Sequence, residues 1–336
     1  MIQNIGRRTF CFEEQPVIIG YAAVAGKKEG EGPLSKFFDR IIYDPYDGMN
    51  SFEEAESCMQ SEAVSLALEK SGVSADEVDF AFAGDLLNQC TGSGFCLRNF
   101  DIPYLGQYGA CSTMGQGLMM AALFVESGAA KNAVCATSSH FCSAERQYRF
   151  PLEYGCVRTP TAQWTVTGAG SCVIAKTGKG ARVAHATVGK ITDLGVTDAN
   201  NMGAAMAPAA ADTIAAFFHD TKTSPKDFDL ILTGDLGLVG SRSLYEILLE
   251  DGIDIRSRHN DCGLMIFDRV MQDVHAGGSG CGCCAATLCS KILNDFENGI
   301  LSDILFVPTG ALLSTTSAEQ KKSIPSIAHL INLRKK

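Results

Sequence analysis

Cations are outnumbered in this 336-residue chain: 28 lysines and arginines stand against 38 aspartates and glutamates, a net charge of −10. That shortfall excludes a general nucleic-acid surface, and it means that an anionic small ligand needs a local positive site. Apolar runs are short as well. None reaches the ~18 residues of a transmembrane helix. The opening MIQNIGRRTF has no apolar stretch behind its arginines of the kind a secretory signal carries, so an intracellular protein is expected. Linkers, low-complexity tracts and heptad repeats are also missing, and tryptophan occurs once, as Trp164.

Cysteine, by contrast, is abundant. Its 14 copies are scattered through apolar runs such as AVCA and SCVIA, where they are expected to act as small buried hydrophobes in a reducing compartment rather than as a disulfide framework. A chain this long holds roughly two domains or one large α/β unit. An internal echo favours a duplicated unit. SADEVDFAFAGDL (Ser74 to Leu86) and SPKDFDLILTGDL (Ser224 to Leu236) share a serine, an aspartate, a short apolar strand and a terminal Gly-Asp-Leu. Downstream of each comes a small-residue turn, an apolar helix, a polar turn and another buried strand: CSTMGQGLMMAALFVESGAAKNAVCA and GCCAATLCSKILNDFENGILSDILFV. Both helices are apolar nearly all round, which in a soluble chain means burial at the centre. The pattern predicts two βαβ-rich halves, residues 1–178 and 179–336, the first carrying an Arg- and aromatic-rich insert near 141–165.

Within YGACSTMGQG, Cys111 stands on a turn at the head of an apolar helix, where unpaired N–H groups favour a thiolate. A buried small hydrophobe, a pocket-lining thiol and a nucleophile are the three readings of it. The cluster SGCGCCAATLC (Cys281, Cys283, Cys284, Cys289) lacks the paired, loop-separated spacing of a zinc site and reads as small-residue packing where two buried helices approach closely, so no metal is expected. GAGSC and HAGGSG do not meet the strand, G-x-G-x-x-G, helix context of a dinucleotide site, and no cofactor is expected. Asp85 and its twin Asp235 close the two echoes and read best as turn caps.

A duplicated α/β unit with a cysteine entering a buried central helix resembles the thiolase superfamily, ketoacyl synthases included. GDLLNQC, YGACSTM, ATSSHFCSAERQYRFPLEYG, TAQWTVTGAGSCVIA and DVHAGGSGCGCCAATL resemble, more narrowly, its thiolase-like sporulation branch. The resemblance implies a layered αβαβα fold of two pseudo-duplicated halves and a homodimer. It also implies a forespore protein, peripherally associated with the inner spore membrane, that binds dipicolinate (pyridine-2,6-dicarboxylate), bare or as its calcium chelate, and works with the membrane proteins of the dipicolinate channel.

Acyl-transferring members of that superfamily pair the cysteine with a His after one second-half strand and a His or Asn on the next glycine-rich turn. Here the first of those places, Gly234 to Gly237, offers only Asp235, and a carboxylate there opposes thiolate formation. The second offers His275, a few residues before the glycines. A degenerate pocket without full catalytic machinery is therefore expected, with an active Cys111/His275 acyltransferase or a structural scaffold of the channel as rivals. For a planar dianion, donors are sought at the end of the strand AVCATSSHF, where Ser138, Ser139 and His140 fall at a sheet edge. Arg146 and Arg149, three apart, share a face if helical and can grip a carboxylate, or can pair with Glu145 or Glu153 on the surface. Asn88 and Gln89 are candidates for the rim. The basic tail flanking HLINLRKK reads as a solvated terminus or a membrane-surface contact.

Overall fold

The strand order repeats. A computed structural model, which describes residues 1–148 and 157–335, contains a 13-stranded mixed sheet among those residues. Its main path runs from one edge as His259–Asp261, Leu230–Thr233, Asp303–Val307, Leu330–Arg334, Arg182–Thr187, and on through Val17–Gly26, Gly168–Ala175, Asn132–Ser139, Phe80–Gly84 to Tyr104–Gly106 at the other edge. Followed from either edge to the centre, the strands of each half come in the same chain order and with the same two parallel, then two antiparallel, pairings. The two half-sheets meet where Arg182 pairs with Val17.

The echoed residues do equivalent work in both halves. Ser74 and Ser224 each form a capping box on a 3₁₀ turn, with Glu77 and Asp227 as the returning acids. One carboxylate oxygen of Asp79 accepts from the N–H groups of Lys131 and Asn132, and one of Asp229 accepts from those of Ser302 and Asp303, so each aspartate fixes the start of the strand beside its own.

Strand alternation then builds the layers. Phe82, Cys135, Cys172 and Ile174 of the first half, with Leu232, Ile304, Phe306, Ile331 and Leu333 of the second, point into one shared core. Their sequence neighbours Ala81, Ala83, Val134, Ala136 and Val173 face an outer helix, Phe52–Ser71. Ile231, Leu305 and Leu330 face the outer helices Met202–Thr221 and Gly237–Glu250. Between the two half-sheets lie Thr113–Glu126 and the run Cys281–Thr287, Leu288–Ile292 and Leu293–Glu297, whose middle segment is one π-helical turn. This is a layered αβαβα arrangement of two similar halves. Its central helices survive all-round burial because their faces are mostly Ala, Cys, Gly, Leu and Met, and their buried acids, Glu126 and Asp295, are paired with the N-terminal ammonium and Lys291.

Small residues let the second central helix press on the sheet. A Cβ on Gly170 would lie 2.3 Å from the carbonyl oxygen of Ala285, and one on Gly282 2.3 Å from that of Gly168. The cysteine-rich helix is thus packed tightest against strand backbone, where the sequence suggested another helix. Gly170→Ala is expected to lower the urea midpoint at unchanged m-value, a loss of roughly 1–3 kcal/mol or more. Gly94→Ala, on the helix Thr91–Leu97 where a Cβ meets nothing within 4 Å, is expected to be neutral or stabilising. Equal effects of the two would contradict the close approach.

Candidate functional site

Cys111 sits where the halves touch. Ala110 takes a left-handed φ of 49°, Ser112 Oγ donates to Gly109 O at 2.7 Å, and Thr113 Oγ1 donates to Ala110 O at 2.6 Å, so the turn delivers Cys111 to the head of the helix Thr113–Glu126. Across from it stands Asp235, just beyond the strand Leu230–Thr233. The Asp235 carboxyl accepts from Gly280 N at 2.9 Å, Ser279 Oγ at 3.2 Å and Thr309 Oγ1 at 2.9 Å, and it stands close enough to the Cys111 thiol to raise its pKa.

The electrostatics oppose a nucleophile. Burial first, then the charge and hydrogen bond of Asp235, push the Cys111 thiol well above its ordinary range. Burial likewise pushes Asp235 up to about 7 and Asp261, which holds the Leu236 and Gly237 N–H groups, up to about 6. A helix N-terminus offers roughly 0.3–2 kcal/mol to an anion, less than the several kcal/mol that burying one costs. Desolvation wins, and Cys111 is a neutral thiol beside a carboxyl.

The cavity above it measures about 40 Å³. That accommodates a few waters; about 150 Å³ is needed for one benzene. Leu86, Tyr108, Ala144, Tyr148 and Leu313 form much of its wall, and Glu145 and Ser279 add polar atoms. Tyr108 and Tyr148 join hydroxyls at 3.1 Å, and the Tyr148 hydroxyl also bonds Leu86 O. No lysine, arginine or histidine lines it among the described residues.

The residues singled out from sequence scatter around this point. Ser138 Oγ donates to the buried Glu56 at 3.2 Å, and Ser139 Oγ donates to Val166 O at 2.7 Å while accepting from Gly282 N. Both hydroxyls are thus spent on tethering the fold. His140 accepts at Nδ1 from Cys142 N, and its Nε2 donates to Pro45 O at 2.9 Å; burial lowers its pKa, and the ring lines a second cavity. Arg146 pairs with Glu53 on the surface. Arg149 lies outside the described residues. Asn88 and Gln89 are exposed and not among the residues lining the Cys111 cavity, and the Asn88 carboxamide oxygen accepts from Gln147 at 3.3 Å. His275 adopts a φ of 51°, faces Asp273 at 3.5 Å and does not line the Cys111 cavity. Asp85 is a turn cap, accepting from Leu87 N and Ser93 N, whereas the Asp235 carboxyl accepts from a glycine turn and a neighbouring strand end farther along its own half. The four clustered cysteines are buried; Cys281 donates to Ser138 O at 2.9 Å and Cys284 to Cys111 O at 3.5 Å. No group of three or more His, Cys, Asp or Glu among the described residues could hold a metal ion, and no described helix is long and apolar enough to cross a membrane.

Glu56 was not singled out from sequence. It accepts from Ser138 and Ser143, and burial, then the Asp85 charge, raises its pKa. The signal was there: Glu56 and Gln60 fall beside Ala55, Met59 and Ala63 in the buried stripe of their helix. Together with Asp235 and Glu29, the latter also pushed to about 7 by burial, it forms a set of carboxyls that bind a proton more tightly folded than unfolded. Such groups stabilise the fold at low pH and lose that contribution as pH rises through the folded pKa. Buried His259 and His329, lowered to about 4, act oppositely but only below about pH 6.5. Unfolding free energy is therefore expected to fall by roughly 1–2 kcal/mol between about pH 6.5 and about pH 8, and Glu29→Gln to flatten the slope. A rise over that window in urea titrations would contradict the assignment.

The fold has relatives among solved structures. 3-Oxoacyl-[acyl-carrier-protein] synthase III from Aquifex aeolicus VF5 superposes with a TM-score of 0.58 at 13% identity, covering 95% of this chain and 99% of that one. Cerulenin-bound OleA of Xanthomonas campestris gives 0.60 at 14% identity, covering 96% and 99%. At such identities the likeness is one of fold: thiolase-like, of the ketoacyl synthase III kind. Sequence similarity is much closer to stage V sporulation protein AD of Bacillus subtilis (strain 168), 45% identical over 324 residues and 96% of both chains. The model of that family matches residues 6–334, and the chain belongs to the stage V sporulation protein AD family.

Proposed function

We propose that this protein binds dipicolinate during spore formation and performs no acyl transfer. The observation that carries the second half of the reading is the buried Cys111 thiol, raised by burial and by the Asp235 charge, with no imidazole in the same cavity among the described residues. Acyl transfer needs a thiolate and a base that can take and return its proton. A thiol held well above its ordinary range by burial and by the Asp235 charge supplies no thiolate. Membership of a sporulation family supports a spore-related role. The ligand follows from the resemblance to the dipicolinate-uptake branch, in which the chain would work as a homodimer, peripherally at the inner spore membrane, and pass its ligand to the channel proteins there.

Calorimetric titration with dipicolinate, with and without calcium, beside an isomer whose carboxylates are moved to other ring positions, tests this reading. Saturable heat for dipicolinate alone is expected, together with no mass added to Cys111 by an acyl-CoA. Absence of heat and of thermal stabilisation at millimolar dipicolinate would overturn it, and an acyl adduct on Cys111 would favour the acyltransferase.

A further inference from the structure

The edge strand of the second half carries a line of hydrogen-bonded side chains that ends beside the turn of Asp235. His259 and Asp261 lie on the strand His259–Asp261, Thr233 on its parallel neighbour Leu230–Thr233, and Tyr245 on the helix Gly237–Glu250. The Tyr245 hydroxyl lies 2.8 Å from His259 Nδ1, His259 Nε2 lies 2.9 Å from Thr233 Oγ1, and Thr233 Oγ1 lies 2.6 Å from Asp261 Oδ2. Tyr245 is half-buried, whereas Thr233 and Asp261 are fully buried. The line thus runs from near the surface to an interior carboxyl.

Donor and acceptor rules leave this line two settings. An ionised Asp261 can only accept, so Thr233 donates to it and accepts from His259 Nε2–H; Nδ1, bare in a neutral ring, then accepts from Tyr245. A protonated Asp261 can donate instead. Its hydrogen on Oδ2 goes to Thr233 Oγ1, the threonine donates to Nε2, and the ring, now carrying its hydrogen on Nδ1, donates to the Tyr245 oxygen. Both settings keep all three hydrogen bonds and a neutral imidazole. The competing acceptor for Thr233, Asn260 O, is farther away, at 3.5 Å. One net proton separates the two. A hydronium protonates the Tyr245 oxygen while the tyrosine hydrogen moves to Nδ1, the Nε2 hydrogen to Thr233 Oγ1 and the threonine hydrogen to Asp261 Oδ2. One O–H or N–H bond forms for each that breaks, and no intermediate link is left charged.

The surroundings place this exchange at an accessible pH. Burial pushes Asp261 up to about 6, although Thr233 and the N–H groups of Leu236 and Gly237 favour its charge. Burial lowers His259 to about 4, so the ring stays neutral while Asp261 titrates. The titratable neighbours are Asp235, raised by burial and, among charges, by that of Asp261; the thiols of Cys262 and Cys283, which burial pushes up; and Tyr245, raised by burial and then by the Asp261 charge. No lysine or arginine among the described residues bonds to His259 or Asp261.

We propose that this line is a proton-linked switch: the charge on Asp261 sets which nitrogen of His259 carries the hydrogen and whether the Tyr245 hydroxyl donates inward to the ring or is turned away from it. Asp261 also accepts from Leu236 N and Gly237 N, the two residues after Asp235, so the turn beside Cys111 is linked to a half-buried tyrosine on an outer helix. A bistable element of this kind transmits a buried charge without moving the backbone. The switch does not depend on which ligand the chain binds.

Ring-nitrogen NMR of the isotope-labelled protein reads the tautomer directly, with the His259 signals assigned from His259→Gln, and the carboxyl-carbon shift of Asp261 reads its charge in the same samples. Between about pH 8 and about pH 5, His259 is expected to pass from hydrogen on Nε2 to hydrogen on Nδ1 without becoming imidazolium, at the midpoint of Asp261, about 6. Thr233→Val, which cuts the line, is expected to abolish the reversal, and Thr233→Ser to keep it. One tautomer throughout the range, an imidazolium forming with the Asp261 titration, or midpoints about one unit or more apart overturns the switch. So does a reversal that survives in Thr233→Val whose thermal midpoint shows it folded. If that variant does not fold, the coincidence of the two midpoints in the unmodified protein still decides.

Discussion

The carboxyl of Asp235 stands buried at the shared centre of the two halves, where its charge bears on the thiol of Cys111. It takes hydrogen bonds from the glycine turn at Ser279 and Gly280 and from Thr309 beyond the neighbouring strand. A buried carboxyl with those donors is satisfied where it stands, and removing it would leave three groups without their partner. The same arrangement decides the chemistry. Burial and the neighbouring carboxyl together hold the thiol at the head of the first-half central helix in its protonated form.

How much of this is legible in the sequence depends on range. The duplicated architecture is, because its markers are local: Ser74 and Ser224 cap equivalent turns, and Asp79 and Asp229 hold equivalent strand starts, each at the same offset from an apolar strand. The conflict between Cys111 and Asp235 is legible too, since the repeat aligns Asp235 with the place of the expected imidazole. Partners remote in sequence are not. Strand parity cannot tell that Ser138 spends its hydroxyl on Glu56, 82 residues away, or that Arg146 turns to Glu53 across 93 residues. Nor does any local pattern bring Lys28 onto the face of Trp164, a contact made by two segments that the whole first half must fold to join.

Two cavities share one helix. Toward Cys111, Phe141–Tyr148 presents Ala144, Glu145 and Tyr148 to a space of about 40 Å³ beside Asp235, a carboxyl that burial keeps protonated in part. Toward Trp164 it presents Phe141 to a larger space whose wall carries Lys27 and Lys28 together with Glu29, Glu31 and Asp47. A fold shared with ketoacyl synthases thus keeps a cysteine at the head of its central helix while the surroundings hold the thiol protonated, and the fold by itself does not fix the function.

The most direct test of this account is the pH dependence of Cys111 alkylation, followed peptide by peptide by mass spectrometry in the unmodified protein and in Asp235→Asn. If the carboxyl holds Cys111 as a neutral thiol, the unmodified protein shows no inflection up to the ordinary thiol range of about 8.5, and Asp235→Asn alkylates faster at every pH below it. An inflection near or below neutrality in the unmodified protein, unchanged by Asp235→Asn, would mean a reactive thiolate and contradict the account.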